Sequence, residues 1–406
     1  MPDKKINLWW WGPPKNFSDR QNERKISWLE LFYDLVYVGA ISQLAHHLAE
    51  DPAWHEIGYL SLLFSLIFWS WVNGSLYYDL HGNDGIRTRF FTLLQMLAVA
   101  AVSITLKDAF EGHQRNFAIS FLMVQFLITY LWWTTGYYDP SHKALNKYYI
   151  ILYSIGMALL AISIFTTFKI AVILWVLLAL CDLGVGLVAA ASTLKELRRR
   201  GEVFSASASL VERFGLFTII VLGETILGIL TGISDIQNKT WVVWLAFILC
   251  IVIAFLLWWI YFDMAGDRKI KQGYKYLQLL IFLHIPLLAS LGVVGACIRV
   301  ILPELSASEL HERGDVKLIL CVAIATILFM ISIISAIMQK EEARSYIRPV
   351  SRLLFIIGIV ILIAGMFSSY FNIITFLTII TIALFIPVFI GAHKWVNYKL
   401  FKDRKP

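Results

Sequence analysis

Long apolar stretches alternate along the chain with short polar joints. A helix needs about 20 apolar residues to cross ~30 Å of hydrocarbon. Twelve stretches fit: 28–48, 57–79, 89–107, 117–138, 148–168, 170–193, 209–230, 240–263, 276–298, 316–338, 351–368 and 371–393. The pattern predicts an all-α, polytopic membrane helix bundle of about 12 transmembrane helices. Two joints are tight, at Phe168-Lys169 and near Ser368-Ser369, and merging or splitting either would change the helix count. Residues 1–27 form a polar tail and 394–406 a basic one.

Composition narrows the class further. Hydrophobic residues make up 59% of the 406 and charged residues 16%, with a mean hydropathy of +0.70. Soluble domains carry about 25% charged residues, and disordered chains lack such apolar content. Lipid is therefore the expected main solvent. The four cysteines, Cys181, Cys250, Cys297 and Cys321, lie in apolar stretches without CxxC spacing. Neither a disulfide framework nor a zinc site is expected from them. No cleavable signal peptide is expected, because the first apolar run leads straight into a spanning segment.

Charge placement sets the orientation. Of 35 Lys and Arg, 27 fall in the tails and alternate joints on one side, seven on the other, and Arg213 inside a stretch. Basic residues collect on the cytoplasmic side. Both termini are thus expected in the cytoplasm, in a multi-pass membrane protein. The same distribution explains the net charge of +7 and argues against nucleic-acid binding, which would gather the charge in one patch.

The two halves look alike. Glu30 and Glu212 stand 182 positions apart, Tyr78-Asp79 and Phe262-Asp263 stand 184 apart, and Leu94-Gln-Met-Leu97 and Leu277-Gln-Leu-Leu280 stand 183 apart. Near-constant offsets predict two six-helix repeats, 28–200 and 201–393. Six is even, so the copies enter from the same side and are expected to be parallel. Transporters use such symmetry, with sites at the repeat interface.

Ionisable groups inside spans cost roughly 2.5–3.5 kcal/mol on insertion scales and mark candidate chemistry. Glu30 and Asp34 share one helix face and can hold a proton or a cation between them. Glu30, near a helix start, is equally well read as a dipole-favoured acid. Glu212 and Arg213 open the seventh span, and Glu224 lies well within it. Arg213 and Glu224 are about 16 Å apart along the axis, so Arg213 is expected to pair instead with Glu30, Asp34 or Asp182. Asp182 precedes Gly186 and Ala190, a small-residue face suited to close helix contact. His284 precedes Pro286, where a freed carbonyl can line a cavity, although a core histidine with one hydrogen bond is the simpler reading. Asp79, Asp139 and Asp263 end their helices and read as loop anchors. His46, His47 and His55 cluster without carboxylates at suitable spacing, so no metal site is expected there.

The run Trp28-Leu-Glu-Leu-Phe-Tyr-Asp-Leu-Val-Tyr-Val38 resembles a signature of the bacterial low temperature requirement A (LtrA) family. So does Glu212-Arg-Phe-Gly-Leu-Phe-Thr-Ile-Ile-Val-Leu-Gly-Glu224. Tyr78-Asp79, Arg89 and Leu94-Gln95-Met96 are similar to that family's second and third helices. The resemblance implies a bacterial inner-membrane protein linked to growth at low temperature, and carries no reaction. Leu29-Glu30-x-Phe32-x-Asp34-x-Val36 with Ala40-Ile41 also resembles the first helix of a lysosomal and prokaryotic potassium-channel family. Here Tyr33 replaces that motif's serine, and Leu216 replaces the aspartate in the second copy.

No GxSxG, HExxH, P-loop or GxGxxG is present, so neither an enzyme, catalytic residues nor a cofactor is expected. The leading expectation is ion- or proton-coupled transport of an unknown small ion or solute through a network of Glu30, Asp34, Asp182, Glu212, Arg213, Glu224 and His284. The alternatives are a cation channel with the first and seventh helices flanking the pore, and a non-transporting scaffold or stress-adaptation factor. The bilayer is the expected partner, and a homo-oligomer is compatible with the sequence.

Overall fold

The computed structural model describes residues 14–15, 25–83, 85–138, 143–200, 206–266, 268–305, 314–339 and 347–402. Twelve α-helices follow one another: α1 Trp28–Glu50, α2 Trp54–His81, α3 Ile86–Phe110, α4 Gln114–Tyr138, α5 Lys143–Ser163 and α6 Phe168–Arg200. Then come α7 Ala208–Ser234, α8 Trp241–Tyr261, α9 Tyr274–Ile301, α10 Gly314–Ile337, α11 Ile347–Met366 and α12 Ile373–Lys402. A π-turn at Phe262–Gly266 and 3₁₀ turns at Leu302–Leu305 and Ser368–Tyr370 join some of them. The protein is all-helical, as the apolar pattern predicts.

Eleven of the helices are long and apolar enough to cross a membrane. The exception is α1, whose apolar character is diluted by Glu30, Asp34, Gln43, His46 and His47. Both tight joints separate helices. The first lies earlier than expected, because α5 stops at Ser163 and α6 begins at Phe168. There the Thr166 hydroxyl donates to the Ser163 carbonyl at 3.1 Å, a local bond that competes with helix continuation. At the second joint, Asn372 Oδ1 accepts the Thr375 amide at 2.8 Å and caps α12.

The chain divides into two compact units. One takes Met1–Gln43, Leu62–Arg213 and Gln272–Gln278; the other takes Leu44–Ser61, Phe214–Lys271 and Leu279–Pro406. In the first, α3, α4, α5 and α6 pack each on the next. A Cβ on Gly156 of α5 would stand 2.7 Å from Leu178 Cδ1 and 3.2 Å from Gln125 Nε2, so the helices approach closely there. In the second, α10 packs on α11, and α12 packs on α8 and α11. Here α7 and α9 meet backbone to backbone: a Cβ on Gly228 would lie 2.5 Å from the Gly295 carbonyl oxygen. Thr225 Oγ1 donates to the Leu291 carbonyl at 3.0 Å across the same contact. Gly228 and Gly232 are four apart, the small-xxx-small spacing that lets membrane helices touch.

Large apolar side chains cover the outward faces of the helices, as lipid contact requires. In α8, exposed Trp241 and Trp244 stand at one end and exposed Trp258 and Trp259 at the other. Seventeen residues at 1.5 Å separate Trp241 from Trp258, about 26 Å. Indole rings prefer the two membrane–water interfaces, and this span is close to the hydrocarbon thickness.

Candidate functional site: a buried ion triad

The residues that open α1 and α7 assemble a charged centre inside the first unit. Ser27 caps α1: its hydroxyl accepts the Glu30 amide at 3.3 Å and donates to Glu30 Oε1 at 3.2 Å. This Ser-x-x-Glu start fixes Glu30 in the first turn. Asp34 follows one turn deeper, about 6 Å along the axis. The start of α7 is set by Ser207, whose hydroxyl accepts the Leu210 amide at 3.0 Å. The Ser207 and Ser209 hydroxyls donate to Asp79 Oδ1 at 2.7 and 3.1 Å. Asp79 therefore anchors the segment that leads into α7, and Arg213 comes one turn later.

Arg213 grips Asp34 with two nitrogens. Nη2 donates to Oδ1, and Nε donates to Oδ2 at 3.3 Å. Trp71 Nε1 of α2 donates to the same Oδ1 at 2.7 Å. Glu30 Oε2 lies 3.8 Å from Arg213 Nη1. Nη1 has no hydrogen-bond partner among the described residues, so Glu30 meets it as a charge rather than as a bonded acceptor. The Tyr33 and Trp71 rings each lie 5.8 Å from the guanidinium carbon, within cation–π range. Gly74 of α2 makes room for the Tyr33 hydroxyl, which a Cβ there would strike. That hydroxyl donates to Tyr37 at 3.1 Å.

Burial makes this centre unusual. Glu30 is 1% exposed, Asp34 0% and Arg213 1%. Three ionisable groups out of water are expensive unless their mutual attraction and hydrogen bonds offset desolvation. Asp34 is fully engaged. Two carboxylates, Glu30 and Asp34, face the Arg213 guanidinium.

The other sequence-derived candidates have their own surroundings. Asp182 is buried in α6, where its Oδ1 accepts Gln125 Nε2 of α4 at 2.9 Å. Gly186, one turn on, packs under Trp69 with 3.0 Å to a built Cβ, and its carbonyl accepts Gln278 Nε2. His284 is a buried core histidine of the second unit: Nδ1 contacts the Leu280 carbonyl at 2.7 Å and Nε2 the Tyr261 hydroxyl at 2.9 Å. Glu212 is exposed, and Glu224 is half-buried rather than deep. Asp139 lies outside the described residues. At the α1–α2 turn, Asp51, His55 and Glu56 bring ligand atoms within 4.8 Å of one another. This corrects the expectation that the nearby histidines lack suitable carboxylates.

Comparison with known sequences now adds to the geometry. The profile of the bacterial low temperature requirement A protein (LtrA) matches residues 25–389, from Lys25 just before α1 well into α12. The chain belongs to the LtrA family. It is also similar to the uncharacterized protein RA0937 of Rhizobium meliloti (strain 1021), at 27% identity over 273 residues. That match covers 63% of this chain and 63% of the relative, so it spans less than two thirds of the relative's length. No solved structure matches the chain.

Every member of the triad falls within the LtrA match. So do buried cations that the sequence places merely on one side or the other. Arg87 donates from Nη2 to Thr134 Oγ1 at 2.9 Å and lies 3.4 Å from the Tyr77 hydroxyl. Lys317 donates to the Phe371 carbonyl at 3.0 Å. Trp71, Tyr33 and Ser27 were not singled out by sequence reasoning. In Ser27 a signal existed, the Ser-x-x-Glu spacing; in so aromatic a chain, nothing marks one indole from another.

Proposed function

We propose that this LtrA-family membrane protein moves a small ion or solute coupled to protons, with Glu30, Asp34 and Arg213 as its charge-handling centre. It would do so in the bacterial inner membrane, with both termini in the cytoplasm. The observation that carries the reading is the burial of two carboxylates, Glu30 and Asp34, around the Arg213 guanidinium. A proton or a monovalent cation is taken up and released at these carboxylates. Its arrival and departure change the attraction between α1 and Arg213 at the start of α7. Glu30 is the natural port, because it meets Arg213 without a formed hydrogen bond and touches Ser27 at the helix start. Asp34 is the fixed partner, held from three donors.

Closure of the centre favours a carrier over an open channel. A conducting pore leaves its charged lining in water, whereas these groups are almost fully buried. Alternating exposure of an occluded site is the carrier solution. The duplicated sequence pattern fits this reading, with Glu30 and Glu212 as counterparts of unequal fate: one buried in the triad, the other exposed. No catalytic role is proposed.

Purified protein in liposomes loaded with a pH-sensitive dye tests the reading. Wild type should change the internal pH when gradients of protons or alkali cations are imposed, and Glu30→Gln should abolish the response while remaining monodisperse. Wild-type vesicles indistinguishable from empty ones under every gradient would sink it. A non-transporting structural role is the second reading, favoured by the saturation of Asp34. It expects silent vesicles and a triad needed only for folding.

A further inference from the structure

The α1–α2 turn carries a second cluster, distinct in place and chemistry from the triad. α1 ends at Glu50, and Pro52, which cannot donate an amide, forces the chain to turn before α2 starts at Trp54. The turn is closed by Ala53 N donating to the Asp51 carbonyl at 2.9 Å. It sets His47, in the last turn of α1, beside Glu56, in the first turn of α2. His47 Nε2 stands 3.6 Å from Glu56 Oε2, and His55 Nε2 stands 3.2 Å from Glu56 Oε1. Asp51 completes the group within 4.8 Å of the His55 and Glu56 ligand atoms.

We propose that Asp51, His55 and Glu56 bind a divalent transition-metal ion of the zinc class. An imidazole with two carboxylates is a donor set such an ion takes, whereas calcium and magnesium prefer oxygen alone. Ligands about 2.0–2.1 Å from a tetrahedral zinc lie roughly 3.3–3.4 Å from each other. The His55–Glu56 separation of 3.2 Å is close to that value. Glu56 adds an independent sign. Its Oε2 is screened from solvent and makes no hydrogen bond among the described residues, with His47 Nε2 3.6 Å away. His46 is not a ligand, because its Nδ1 is met by Arg299 Nη1 at 2.5 Å. By the Lys and Arg bias, this turn faces away from the cytoplasm, where metal reaches it from outside.

The competing explanation is a set of ordinary imidazolium–carboxylate pairs. Calorimetry on the full-length, tag-free protein in detergent, stripped with chelator and titrated with Zn²⁺, separates the two. The site predicts one Zn²⁺ per chain, a tetrahedral Co²⁺ absorption spectrum, and no displacement by excess Mg²⁺. His55→Ala and Asp51→Asn, both at exposed positions and so tolerated by the fold, should each weaken Zn²⁺ binding about tenfold or more. They should also erase any metal-induced rise in melting temperature. No Zn²⁺ binding by wild type, or equal binding by wild type and both variants, overturns the proposal.

Discussion

The Trp71 indole N–H and the Arg213 guanidinium converge on one oxygen of Asp34, Oδ1, from different helices. A single carboxylate thus ties α1 to α2 and to the start of α7. Removing the cation is expected to be worse than removing the whole set. Arg213→Met strands two buried acids and should cost about 3–5 kcal/mol, seen as loss of a monodisperse peak or a large fall in melting temperature in detergent. Combining it with Asp34→Asn and Glu30→Gln should restore much of that loss. A triple variant no better than Arg213→Met would mean that the triad is not an electrostatic unit.

Trp71→Phe keeps the ring and deletes the donor. A hydrogen bond to a charged group is worth about 1.5–3 kcal/mol, so stability should fall by that order while the fold is kept. A melting temperature equal to wild type would show that the indole N–H adds nothing to Asp34.

Asp182→Asn should be mild for folding, because its side-chain carbonyl can still accept Gln125 Nε2. Gln125→Leu removes the donor and should cost about 1–3 kcal/mol. If Asp182→Asn silences proteoliposome flux with an unchanged melting temperature, Asp182 joins the charge-handling groups. Unchanged flux keeps it a packing residue.

Gly228→Ala drives a methyl group into the Gly295 backbone and should destabilise the α7–α9 contact by about 1–3 kcal/mol. Gly223→Ala is the control, since nothing lies within 4 Å of a Cβ there. Limited proteolysis in detergent reads the difference.

Ser207→Ala loses the cap of α7 and a donor to Asp79, with an expected cost of about 0.5–2 kcal/mol. Ser209→Ala loses only a donor and should cost less. Equal melting temperatures for the two variants would remove the cap from the account of how Arg213 is placed.

Helix number and identity were largely legible in the sequence, because for eleven of the twelve helices length and hydropathy suffice. Arg213 as a cation in need of a carboxylate was legible too: an intramembrane charge demands a partner. Which partner was not. Asp182 was an equal candidate, and only the packing of α1 against the first turn of α7 decides for Asp34 and Glu30. Glu224 shows the opposite limit. Distance along a helix suggests depth, but burial depends on which face the neighbours cover, and periodicity does not disclose it. The Gly228-x-x-x-Gly232 spacing was readable and passed over. The Asp51–Glu56 cluster was hidden by the turn at Pro52, which folds residues near in sequence into an arrangement that linear spacing does not reveal.

The paired indoles of α8 have a mechanical corollary. Rings anchored at both interfaces act as a gauge of bilayer thickness and hold the helix at one height. The outward-facing residues between them, such as Ile248 and Phe255, can then be exchanged for other apolar residues with little effect. Displacing Trp241 or Trp258 by a few residues along α8 should instead shift its vertical register against α12, on which it packs.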